Sequence, residues 1–62
     1  MNSDTDVYQA LLDRAKTCEL EPGAVNLLII AIDAYNDDEF LTEEQAKYIK
    51  SILIRRLSQT MN

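Results

Sequence analysis

The feature that most constrains the fold is a run of apolar residues between positions 24 and 35, which only Asn26 and Asp33 interrupt. These two polar residues are seven positions apart, so in a helix they fall on one narrow stripe. Pro22, just before the run, suits the first position of a helix, because its missing N–H needs no partner there. A helix that is apolar nearly all round is typical of a buried helix. The sequence therefore predicts a buried helix over residues 22–36.

Two amphipathic segments flank this helix. The first is expected over about residues 4–17 and begins at a cap formed by Ser3 and Asp6. The third is expected over about residues 43–58 and begins at a capping box formed by Thr42 and Gln45. Read at helical spacing, their apolar faces consist of Val7, Tyr8, Leu11, Leu12, Ala15 and Cys18, and of Ala46, Ile49, Ile52, Leu53 and Leu57. The sequence thus predicts one all-α domain over residues 1–62, a helical hairpin with an N-terminal helix.

Two residues of the third helix do not fit its amphipathic pattern. Ile54 falls on the side that carries Lys47 and Ser51, and Arg56 falls near the middle of the apolar face. A basic residue in the last turns suits the negative end of the helix dipole, which favours Arg56 electrostatically but does not explain its position on that face.

The small size of the chain predicts self-association. A domain of 62 residues has little margin of stability and usually relies on disulfides, a metal or an oligomeric partner. Cys18 is the only cysteine and there is no histidine, so neither an internal disulfide nor a zinc site is expected. Because two short neighbours cannot cover the whole second helix, we expect a dimeric bundle. Its apolar contact surface is predicted to include Ile29, Ile30, Tyr35 and Ile54.

An alternative is that Ile29 and Ile30 only flank the core. Long side chains of neighbouring residues would then cover each of them in part, and no second molecule would be needed.

The residue types argue against catalysis. Histidine, the commonest general base, is absent, so neither Cys18 nor any serine has a histidine to activate it. Gly23 is the only glycine, which excludes a glycine-rich phosphate loop. We therefore expect a protein that is not an enzyme and that needs no cofactor or metal. Cys18 is interpreted as a small apolar residue on the inner face of the first helix.

The charge is acidic overall, with a net value of −5, and it is unevenly distributed. Such a field repels the phosphate backbone, so direct nucleic-acid binding is disfavoured. Acidic residues gather in the middle of the chain around Phe40 and Leu41. These residues, Asp37, Asp38, Glu39, Glu43 and Glu44, are predicted to dock on a basic protein that itself binds nucleic acid, since complementary charge speeds and orients association.

Three features bear on the cellular location. There is a single cysteine, as is usual in a reducing compartment, and the N-terminal residues do not have the pattern of a signal peptide. The most apolar run, over residues 27–32, is far too short to span a bilayer. We expect a cytoplasmic protein without a membrane partner.

The last two-thirds of the chain resembles known small helical regulators. The features are an acidic turn and a final helix that opens with residues 41–45, LTEEQ, and ends with residues 56–62, RLSQTMN, preceded by a first helix with a lone cysteine. They are similar to the enterobacterial regulators of the Hha/YmoA group and to the YmgB/AriR biofilm regulators. The resemblance implies a helical regulator that binds the nucleoid protein H-NS, as the first group does, or that forms helical dimers, as the second does.

The expected function is that of a small regulatory or adaptor protein that binds proteins, itself included, and modulates a DNA-binding or nucleoid-associated protein. Two alternatives stay open. One is a phage- or plasmid-type inhibitor that occludes a host DNA-binding protein. The other is a transcription factor that binds DNA directly through Lys47, Lys50 and Arg55.

Overall fold

The computed structural model describes residues 3–60, and side chains from residue 7 onward. Three helices, α1 (Ser3–Thr17), α2 (Pro22–Asp37) and α3 (Glu43–Thr60), follow one another without a strand in the described part of the chain. The prediction of an all-α fold with three short helices is confirmed, and the helix ends differ from the predicted ones by two residues at most. The predicted cap of Ser3 and Asp6 lies outside the described side chains.

The start of α3 has the local structure that its sequence predicts. The Thr42 N–H donates to Gln45 Oε1, and the Gln45 N–H donates to Thr42 Oγ1, both at 3.0 Å. This reciprocal pair is a capping box. Leu41 before it and Ala46 after it are both buried in the same core cluster, so apolar burial accompanies the cap. The cap and this burial together fix the direction in which the chain enters α3.

The turn between α2 and α3 is held by backbone bonds and one side chain. Glu39 has a φ of 67°, in the left-handed region. The N–H groups of Phe40 and Leu41 both donate to the Tyr35 carbonyl, at 2.9 and 3.3 Å. The Asn36 side-chain amide donates to the Leu41 carbonyl at 3.0 Å, which closes the turn from the side. A non-glycine residue at such a helix end costs about 1 kcal/mol.

The core lies between α3 and the other two helices. α3 packs against both α1 and α2, whereas α1 and α2 contact each other least. Ile32, Ile49 and Leu53 are the largest fully buried residues. The predicted apolar faces of α1 and α3 do face this core, apart from Leu57, which is half-buried and outside the core cluster. Within the single chain α3 is the helix with neighbours on two sides, and α2 buries one side only, as expected if two short neighbours cannot cover it. Burial of the rest of α2 by a second copy stays a prediction.

In the described part of the chain, polar contacts of Arg56 and Lys50 also tie the helices together. The Arg56 guanidinium donates to the Ala15 carbonyl at 2.8 Å and lies 3.7 Å from Cys18 Sγ. Arg56 therefore occupies the apolar face of α3 because α1 ends there and needs a donor for its carbonyls. On the other side of α3, Lys50 pairs with Asp33 of α2 at 2.5 Å.

Across residues 3–60, the structure contains no helix with the length and apolar character needed to cross a bilayer.

Candidate functional site

The two sides of α2 differ sharply in exposure. Val25, Leu28 and Ile32 are buried, and Ile29 is half-buried against the same core. On the opposite side Leu27 is 70% exposed and Ile30 is 62% exposed. We call the apolar surface on this side the open face of α2; it consists of Ala24, Leu27, Ile30, Ala31, Ala34 and Tyr35. Exposed apolar residues that form one contiguous surface are typical of an interaction site.

A groove runs along the open face on the side of α1. Its larger cavity, about 370 Å³, is lined by residues that include Leu11, Arg14, Cys18, Ala24, Leu27 and Ala31. Its smaller cavity, about 260 Å³, is lined by Val7, Ala10, Leu11 and Tyr35. Leu11 and Tyr35 line both cavities, so the two adjoin and together form a mainly apolar groove. The groove exists because α1 and α2 both pack on α3 but approach each other little.

The structure separates the apolar residues that the sequence singles out. Ile30 and Tyr35 lie on the open face, but Ile29 packs against the core and contributes little to that face. Ile54 is 65% exposed on α3 and is not part of the open face.

Leu27, the most exposed large apolar residue of the described chain, was missed by the sequence prediction. Its signal was its spacing of three residues from Ile30, which puts both on one side of a helix. The predicted contact residues Ile29 and Ile30 lie beside the polar stripe of Asn26 and Asp33, and Leu27 does not.

The predicted acidic residues surround the turn between α2 and α3. Asp37 ends α2, Asp38 and Glu39 follow, and Glu43 and Glu44 form the first turn of α3; all five are exposed. We call these five residues the acidic turn. No ion pair involves any of them within the part of the chain that the structure describes.

An aromatic pair accompanies the acidic turn. Phe40 is half-exposed, and its ring lies edge-to-face against Tyr35 with 6.0 Å between ring centroids. Tyr35 belongs to the open face and contacts Phe40 within the acidic turn, so the two surfaces are neighbours.

Residues that could carry chemistry are not brought together. Residues 7–60 contain no group of three or more side chains suited to holding a metal ion. Cys18 is half-buried in the groove beside Arg56. It also packs against the core, which fits its interpretation as a small apolar residue on the inner face of the first helix; that the protein is not an enzyme stays a prediction.

Compared with known proteins, the chain matches no family model, no curated protein and no solved structure. The resemblance to the Hha/YmoA and YmgB/AriR regulators stays a prediction, as does any partner that it implies.

Proposed function

We propose that this chain is a small regulatory or adaptor protein that acts by binding proteins, and that its open face pairs with the open face of a second copy. The observation that carries this proposal is the exposure of Leu27 and Ile30 on a helix whose other side already forms the core. Full burial of one such side chain is worth about 1.5–3 kcal/mol. A domain of 62 residues gains a large fraction of its stability when these side chains are covered.

A second copy of the chain fits the open face sterically. The open face combines two large aliphatic side chains with the small Ala31 and Ala34, so the backbones of two α2 helices can approach closely while Leu27 and Ile30 pack beside them. A two-fold dimer buries both copies of this face at once.

The test is a pair of charged substitutions read by sedimentation. Wild-type protein is expected to sediment as a dimer at micromolar concentration, and L27D/I30D as a folded monomer, because a buried unpaired carboxylate is costly. Ile54→Asp is the matched control, since Ile54 is equally exposed but lies on α3 outside the open face. A wild-type monomer that is fully folded, or loss of the dimer in Ile54→Asp alone, contradicts pairing through α2.

The acidic turn is a second candidate surface, and its charge is suited to binding a basic protein. The five carboxylates of the acidic turn are exposed beside the half-exposed Phe40, a combination of charge and one apolar anchor. The partner we propose is a DNA-binding or nucleoid-associated protein, which the chain modulates or, as an inhibitor, occludes. Direct DNA binding by this chain has less support, because Lys50, one of the three basic residues predicted to contact DNA, pairs with Asp33 and the net charge is −5.

Affinity capture from cell lysate tests the acidic turn. The wild-type chain should retain a basic protein whose binding weakens as salt rises. The variant D37N/D38N/E39Q should lose it, whereas Glu19→Gln and Glu21→Gln, which remove charge outside the acidic turn, should keep it. Equal capture by the wild type and the triple variant would exclude the acidic turn as the docking surface for the basic protein.

A further inference from the structure

We infer that the two copies pair in antiparallel orientation, with the two-fold axis at Ala31 of α2. This inference rests on the proposed dimer and adds its orientation and register. Ala31 is small, half-buried, and close to the middle of Pro22–Asp37. Leu27 and Tyr35 stand four residues on either side of it, about 6 Å along the helix. An antiparallel pair centred there therefore places Leu27 of each copy opposite Tyr35 of the other.

The first argument is the charge at the two ends of the groove. Arg14 lines the end next to Ala24 and Leu27, where the exposed Glu19 and Glu21 lie outside the groove lining, whereas the acidic turn adjoins the other end at Tyr35. An antiparallel pair brings Arg14 of each copy toward Asp38 of the other. A parallel pair instead sets Arg14 against Arg14 and Asp38 against Asp38, and like charges in contact disfavour association.

The second argument is the shape of the groove. Leu27 projects from the open face at one end, and the smaller cavity, of about 260 Å³ beside Tyr35, lies at the other. Antiparallel pairing allows Leu27 of each copy to enter the apolar cavity formed by Val7, Ala10 and Tyr35 of the other. The two insertions are equivalent by symmetry, as an isologous interface requires. Ile30 then lies beside Ile30 of the second copy, next to the axis.

Disulfide trapping in a Cys18→Ser background tests the orientation. Ala31 and Ala24 are both half-buried alanines of the open face, so Ala31→Cys and Ala24→Cys form a matched pair. At the axis, the two thiols introduced by Ala31→Cys are in bonding range, whereas two residues at position 24 are about 21 Å apart along the helices. We expect Ala31→Cys alone to give a cross-linked homodimer, and Ala24→Cys to cross-link only when mixed with Asp38→Cys.

The other outcomes distinguish a wrong antiparallel orientation from a wrong proposal of the dimer itself. Self-cross-linking of Ala24→Cys as well as Ala31→Cys indicates a parallel pair and overturns the inference, while the dimer stands. If neither variant cross-links although the protein sediments as a dimer, the open face is not the surface through which the two copies pair. A wild-type protein that is monomeric removes the proposed dimer itself.

A charge exchange tests the contact between Arg14 and Asp38. Arg14→Asp and Asp38→Arg should each weaken the homodimer about five-fold, and their equimolar mixture should recover wild-type affinity as a heterodimer. Lys16→Asp is the control, since Lys16 has the same charge but does not line the groove. Equal losses in Lys16→Asp, or no recovery on mixing, would overturn the predicted contact.

Discussion

The two sides of α2 are built from similar residues but meet different surroundings. Leu28 and Ile32 are buried between helices, whereas Leu27 and Ile30 are the most exposed large apolar residues of that helix. α3 is less ambiguous, because most residues opposite its buried side are charged or polar, and Tyr48 and Ile54 are its exposed large apolar residues. The comparison teaches that apolar spacing predicts the buried side of a helix only when the other side is polar.

The largest expected effect is on the free energy of unfolding, and it compares the two sides of α2 directly. Ile32→Ala should lower the free energy of unfolding by about 2–5 kcal/mol, because Ile32 is fully buried and the loss leaves a cavity. Ile30→Ala should change the stability of the isolated monomer by less than about 1 kcal/mol and should weaken the dimer. Urea unfolding, at a protein concentration low enough to dissociate the dimer, measures the change in monomer stability for both variants. Similar losses for the two variants would mean that the two sides of α2 do not differ.

A smaller effect is expected where α1 is tied to α3. Arg56→Met keeps most of the side-chain volume but leaves the Ala15 carbonyl without its donor, which should cost about 1–2 kcal/mol. Arg55→Met is the control, since Arg55 is exposed and makes no such contact in the described structure. Thermal unfolding of the two variants should therefore differ, and equal melting temperatures would show that the bond to Ala15 contributes nothing.

A stabilising effect is expected in the turn that follows α2. Glu39→Gly should raise the free energy of unfolding by about 0.5–1 kcal/mol, because glycine adopts the left-handed conformation at φ 67° without strain. Asp38→Gly, at a negative φ of −83°, should instead destabilise the protein. Chemical denaturation distinguishes the two, and a loss of stability in Glu39→Gly would mean that its side chain contributes more than the strain costs.

The smallest effect concerns the pair between α2 and α3. Lys50→Met should cost no more than about 0.5 kcal/mol, because both partners are partly exposed and solvent screens the charges. The loss should shrink further as salt is added. A loss as large as that of Ile32→Ala would mean that this pair, and not the buried side of α2, fixes the two helices together.

Local signals in the sequence were sufficient for the helices themselves. Pro22 sets the start of α2, and Thr42 with Gln45 sets the start of α3, because each acts on backbone groups within one turn. The inner faces of α1 and α3 were also predictable, since each has a polar side that excludes the alternative.

The arrangement of the helices was not predictable from those signals. The exposure of Leu27 depends on the separation of α1 and α2, which is a property of how both pack on α3. The role of Arg56 depends on the end of α1, whose Ala15 carbonyl is 41 residues away along the chain. Periodicity within one helix carries no information about such distant neighbours, so the candidate site was only half identified.

The bond from Arg56 to Ala15 also has a consequence for the order of folding. Its partners are 41 residues apart, whereas Lys50 and Asp33 are 17 residues apart and joined by a tight turn. Closing the longer loop costs more chain entropy, so we expect the hairpin of α2 and α3 to form first and α1 to dock last. A bond made after the transition state acts on the rate of unfolding alone. Arg56→Met should therefore shorten the lifetime of the native state while leaving the refolding rate nearly unchanged.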